Sequence, residues 1–154
     1  MRRASAAVAL PGVRIADAEA LWYDLSRWPS FVEGFKHTVG VGEGWPRVGA
    51  TLVWESVPDG RGRVTESVTA YTQREGQTVA VEDPRIVGTQ SVHFAPTPGA
   101  DAGVAMTLTL DYALRETSFL TPVTDLLFIR RAQADALRRT LWRFARELEA
   151  EREL

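Results

Sequence analysis

Residues 122–151 read PVTDLLFIRRAQADALRRTLWRFARELEAE, and this stretch decides the fold. Leu127, Ala134, Leu137, Leu141, Phe144, Ala145 and Leu148 recur at spacings of 3, 4 and 7, which places them on one stripe of an α-helix. Thr121 and Pro122 suit its N-cap and first position, because the cap accepts an orphan N–H and proline has none to lose. At 1.5 Å of rise per residue the helix is about 45 Å long. Nearly everything between residues 36 and 115 reads as strand, so a sheet must cover the stripe. One long helix lying across a sheet readily leaves a hollow. The expected architecture is a container.

Working outward, Ala4, Ala6, Val8 and Leu10 alternate as a first strand. Asp17 is placed to cap a helix running to about Arg27, with Leu21, Trp22 and Leu25 on its apolar face. Trp28-Pro29 breaks that helix, and Pro29 can start a second short one through Phe31, Val32 and Phe35. Six strands are then expected at about 36–42, 51–57, 62–72, 77–83, 88–95 and 103–115, separated by Gly, Pro and Asp. Strands and helices do not alternate, which excludes a doubly wound parallel sheet. The class is α+β: a curved antiparallel meander of about seven strands, two short helices and the long closing helix. Residues 1–154 are read as one domain, with Pro96–Asp101 as a loop between strands.

A net charge of −2 supplies no global field for nucleic acid or an anionic membrane. The absence of cysteine excludes disulfides and thiolate chemistry and fits a reducing compartment. No apolar run approaches the roughly 20 residues that span a bilayer, and Ala4–Leu10 is too short and broken for a signal peptide. A cytoplasmic location is therefore expected. Of the 18 Lys and Arg residues, Lys36 alone is lysine, a bias that points to a GC-rich bacterial genome. Between residues 127 and 146 the arginines outnumber Asp135, but no aromatic interleaving or nucleic-acid motif accompanies them. The acidic tail Glu147, Glu149, Glu151 and Glu153 offsets that charge. This face is a solvated helix back or a protein-docking surface.

Several chemistries are set aside on residue type. His37 and His93 are the two histidines and form no HxxxH or HExxH pair; with no cysteine, no metal site and no cofactor is expected. No GxSxG elbow or Walker loop occurs. Gly40-Val41-Gly42-Glu43-Gly44 lacks the third glycine of a dinucleotide loop and runs into Trp45-Pro46, so it reads as a turn.

The hairpin around Pro58-Asp59-Gly60-Arg61 is more instructive. A turn over 58–61 sets Trp54 opposite Thr65 and Leu52 opposite Ser67. One face then carries Trp54, Thr65, Ser67, Thr69 and Tyr71; the other carries Val64, Val68 and both Glu55 and Glu66. Hydrophobicity favours the valine face inside, but two unpaired buried carboxylates are costly. We therefore expect the hydroxyl face to line a pocket, against the alternative of a solvent-facing Ser/Thr stripe. Phe94 and Gln90 on strand 88–95, and Leu108 and Tyr112 on strand 103–115, are expected to face inward. Leu137 closes the pocket from the helix. Arg130 falls in the middle of the helix stripe, where it either meets a ligand oxygen or snorkels to solvent. Gln133 and Thr140 sit at the stripe's edge.

The element order, Trp28-Pro29-Ser30-Phe31-Val32, the hairpin Pro58–Val64 and the Arg130–Leu148 helix together resemble the START-related (SRPBCC) helix-grip superfamily, in particular its polyketide cyclase/aromatase-like branch. The resemblance spans nearly the whole chain. It implies a hydrophobic cavity lined by Trp28, Val32 and Phe35 together with Thr65, Ser67, Thr69 and Tyr71. Tyr71 stands where aromatase-type members carry an arginine, which puts their ring-closing mechanism in doubt. The leading expectation is binding of a small hydrophobic molecule such as a lipid, quinone or polyketide, by a monomer or homodimer. An enzymatic alternative is aldol cyclisation and dehydration of a poly-ketone, with Tyr71, Tyr112 or Arg130 polarising carbonyls. The third is a regulatory or protein-docking domain using the arginine-rich helix back.

Overall fold

The computed structural model describes residues 1–115 and 123–153. Seven strands, β1 (Arg2–Pro11), β2 (Phe35–Val41), β3 (Thr51–Ser56), β4 (Arg63–Thr72), β5 (Gly76–Glu82), β6 (Ile86–Thr97) and β7 (Gly103–Leu114), form one antiparallel sheet. Its order is β1-β7-β6-β5-β4-β3-β2, so β2 to β7 make the expected meander and β1 closes on β7. Helices α1 (Ile15–Tyr23) and α2 (Trp28–Phe31) join β1 to β2, and α3 (Val123–Arg152) ends the described chain. This is the α+β helix-grip architecture. The expected cap at Thr121-Pro122 lies outside the described residues.

Alternation along the central strands puts one face in the core. On β7, Val104, Met106, Leu108, Leu110 and Tyr112 are buried, and on β6 Ile86, Val92 and Phe94 join them. His93 and His37 lie on the exposed side. Gly88 faces Tyr112 across β6 and β7, where a Cβ would lie 2.0 Å from the Asp111 carbonyl oxygen. Only a residue without a side chain lets the two backbones approach this closely. Gly88→Ala should therefore cost about 1–3 kcal/mol of stability, read as a lowered urea midpoint with the slope unchanged.

Helix α1 is shorter than its sequence pattern. It stops at Tyr23, and the Asp24 carboxylate accepts the Ser26 amide to start a 3-10 turn over Leu25–Arg27. Asp17 lies in the first turn, paired with Arg14, and caps nothing. Buried Glu19 pins α1 to the β4–β5 turn by accepting the Arg74 amide at 2.9 Å and pairing with the Arg74 guanidinium. At the other end Arg27 bridges to Glu147 and Glu151 of α3.

The stripe of α3 is covered only along its second half. Leu137, Thr140, Leu141, Phe144 and Leu148 are buried against the sheet and the short helices. Phe144 stands edge-on to Trp22 and Phe31 at 5.7 and 5.2 Å. Leu127 is exposed, a correction to the expected stripe, as are Val123 and Phe128. In these first turns Ile129 alone, among the described residues, packs on the core. On the back of α3, Arg138 pairs with Asp135, and Arg139 and Arg143 pair with Glu33 at 3.5 and 2.5 Å. Arg146 lies over the exposed Trp142 ring. None of the described helices is long and apolar enough to cross a membrane.

Candidate ligand cavity

The hairpin sets the site, and its turn is longer than expected. Glu55 pairs with Arg63, and the Ser56 amide donates to the Gly62 carbonyl, so the loop holds Val57 to Arg61 rather than Pro58 to Arg61. Asp59 and Gly62 both take positive φ, and the Ser56 hydroxyl accepts the Gly62 amide at 2.8 Å. This one extra residue turns every side chain of early β4 over. Val64, Glu66 and Val68 point inward beside Leu52 and Trp54. Thr65, Ser67 and Thr69 therefore sit on the outer face, contrary to their expected place in the pocket. A bulge between Val68 and Ala70 then restores the parity, and Tyr71 turns back inward against Tyr23, ring centroids 5.6 Å apart.

Glu66 is 6% exposed, deep in the concave face. Trp54 Nε1 donates to its Oε2 at 2.8 Å. Burial pushes its carboxyl above the ordinary carboxylate range; the Trp54 hydrogen bond and the Arg61 charge oppose that rise without cancelling it. Glu55, the other acid of this hairpin, is on the outer face, paired with Arg63 at 2.7 Å. Only one carboxylate had to be buried, and a hydrogen-bonded, protonatable one carries a far smaller penalty than two bare charges.

Around Glu66 the sheet, α2 and α3 enclose a chamber of about 50 Å³. Trp28, Val32, Trp54, Leu108 and Leu137, all expected at the site, line it. Glu33, Arg61, Glu66, Gln90, Gln133 and Thr140 supply its polar groups. Trp28 is locked by donating Nε1 to the Trp22 carbonyl at 2.7 Å, and the Thr140 hydroxyl accepts the Glu33 amide at 3.0 Å. Arg61, Glu33, Gln133 and Ala136 also border a mouth groove of about 320 Å³ between the hairpin turn, Asp83–Arg85 and α3. A larger groove of about 500 Å³ lies elsewhere, between α1 and the end of α3. It is rimmed by the charged side chains of Arg14, Asp17, Asp24, Arg27, Glu151 and Arg152, with Leu21 and Leu148 at its base.

The remaining expected residues fall outside the chamber. Phe35 is buried behind Trp54, 5.2 Å between rings, and Phe94 packs on Tyr23. Tyr112 is fully buried, its hydroxyl without a hydrogen-bond partner among the described residues. Burial raises its pKa, opposed by the nearby charges of Arg2 and Arg130. Arg130 itself is exposed, so its snorkelling alternative is the one observed. Glu66 and Arg61 were missed as site residues. The valine face of β4 carried the signal for Glu66, and the electrostatic argument overrode it.

A long helix gripping a curved antiparallel sheet over a lined chamber defines a helix-grip protein. The chain belongs to the polyketide cyclase / dehydrase and lipid transport family, whose model matches residues 1–149. No curated protein matches the sequence. Among solved structures, a protein from Thermus thermophilus superposes with a TM-score of 0.76 at 15% identity, over 97% of this chain and 99% of that one. One from Deinococcus radiodurans gives 0.62 at 22% identity over 97% and 99%. The di-domain ARO/CYC StfQ of the steffimycin biosynthetic pathway gives 0.73 at 15% identity, with 99% of this chain on 52% of that one. At these identities the likeness is one of fold.

Proposed function

We propose that the chain binds a small, mostly apolar molecule whose oxygen-bearing end enters the chamber while its body lies in the mouth groove. The observation that carries the reading is the closed junction of aromatic and aliphatic walls around one buried carboxyl, Glu66. Apolar burial at roughly 25 cal/mol per Å² drives such binding, less the cost of ordering. The chamber alone has room for only a few water-sized groups, so the ligand's bulk must occupy the 320 Å³ groove beside Ala132, Gln133 and Ala136 of α3. Native mass spectrometry of protein purified from its natural host should show a stoichiometric retained small molecule that denaturation releases. Repeated recovery of the bare chain mass counts against the reading.

One observation favours a second reading, an enzyme that closes a poly-ketone by aldol addition and dehydration. Glu66, whose carboxyl burial pushes above the ordinary carboxylate range, is placed to pass a proton to a carbonyl oxygen and take one back. The roles considered for Tyr71, Tyr112 and Arg130 do not suit this geometry, since none of the three lines the chamber. The docking reading is weaker, because Arg139 and Arg143 are engaged with Glu33.

A further inference from the structure

Arg61 stands where the chamber opens into the mouth groove and borders both. Its Nε donates to Asp83 Oδ2 at 2.8 Å. The other oxygen of Asp83 accepts the amides of Arg85 and Ile86 at 2.8 and 2.9 Å, so this buried carboxylate is filled and fixed. The Arg61 guanidinium carbon lies 5.8 Å from the centroid of the Trp54 ring. The side chain is thus held from two sides. Yet its Nη2 is buried and has no hydrogen-bond partner among the described residues. A guanidinium N–H left unpaired out of water is costly, and folds retain such groups where something else completes them.

We infer that Arg61 Nη2 receives an anionic oxygen of the ligand, the carboxylate or enolate end of an otherwise apolar molecule. The inference rests on the chamber-binding reading above and narrows its ligand class. An anionic partner is favoured over a neutral carbonyl because a full opposite charge adds Coulomb attraction to the guanidinium in a site partly shielded from water. None of the surrounding carboxylates is hydrogen-bonded to Nη2 among the described residues. Asp83 is engaged by Arg61 Nε and two amides; Glu33, which borders both pockets, pairs with Arg139 and Arg143, although its Oε2 makes no hydrogen bond among the described residues. Glu66, whose charged form burial disfavours, borders the same chamber and is placed to hydrogen-bond the ligand's end. Asp83 is then a positioning residue: it aims the fork and leaves Nη2 turned to the ligand.

The test compares two fluorescent probes that differ only in charge, cis-parinaric acid and its methyl ester, titrated into the full-length chain. Wild-type protein should bind the acid about tenfold more tightly than the ester. Arg61→Met should weaken the acid about tenfold and leave the ester within about twofold, with Asp83→Asn shifting the acid in the same direction. Equal affinity of wild type for acid and ester, or equal weakening of both by Arg61→Met, overturns the inference while leaving chamber binding intact. Failure of both probes to bind overturns the chamber reading and this inference with it. Should Arg61→Met not fold by circular dichroism, Arg61→Lys is read instead; it keeps the charge but loses the fork, so the acid preference should shrink and an unchanged preference refutes the role.

Discussion

Phe144→Ala should cost about 3–5 kcal/mol of unfolding free energy, the largest loss expected from any single truncation in α3. The side chain is fully buried where three helices meet, edge-on to Trp22 of α1 and Phe31 of α2. Removing it deletes the apolar transfer energy of an aromatic ring, opens a cavity that rigid neighbours cannot fill, and forfeits two aromatic pairings of roughly 0.5–1.5 kcal/mol each. A chain of this size has about 5–15 kcal/mol in total, so the variant should populate unfolded protein well before wild type. Phe128→Ala is the internal control. It changes the same residue type on the same helix, but Phe128 is 73% exposed on the first turns, and its loss should stay within about 0.5 kcal/mol. Urea midpoints of the two variants decide the matter. Similar midpoints would mean that α3 is not clamped through its second half.

Most of the fold was legible because its signals are local and redundant. The 3, 4, 7 spacing in α3, the alternation Met106-Leu108-Leu110-Tyr112 and the helix start at Pro29 each name an element without help from the rest of the chain. Where along α3 the cover ends was not legible. Leu127 has the same spacing as Leu141, and only the extent of the packed body tells them apart. The site was less readable because it depends on the parity of one hairpin. A turn of five residues instead of four exchanges Thr65 and Ser67 for Val64 and Glu66, and spacing alone cannot count the turn. Periodicity argued for the valine face and the charge argument against it. The charge argument failed because it treated Glu55 and Glu66 as neighbours on one face, whereas the true register separates them. Arg61 was invisible for a different reason: a turn residue has no periodicity to read, and its partner Asp83 is 22 positions away.

Glu66→Gln should make the protein more stable at alkaline pH and, if the chamber catalyses, far less active. The folded state holds the Glu66 proton above the ordinary carboxylate range, near 4.3 for an unfolded chain, because burial disfavours the charge. Between the unfolded and folded values the native state carries more protons than the unfolded state, so wild-type stability falls as pH rises through that window and is level beyond it. Glutamine has the same shape, still accepts the Trp54 N–H and never ionises. Its stability should match wild type below the window and exceed it above by roughly 1–3 kcal/mol, the cost of one buried and incompletely paired ion. The other charged groups bordering the chamber, Arg61 and Glu33, are unchanged in the variant, so the difference curve isolates Glu66. Parallel pH curves for the two proteins would mean an ordinary, solvated carboxyl and remove the acid from consideration. The activity arm then separates carrier from catalyst. A positioned acid-base group contributes about 10²–10⁴-fold to turnover, so Glu66→Gln should lose that much in closing a poly-ketone. A carrier would keep its ligand, since the amide offers a donor in the same place as the protonated carboxyl.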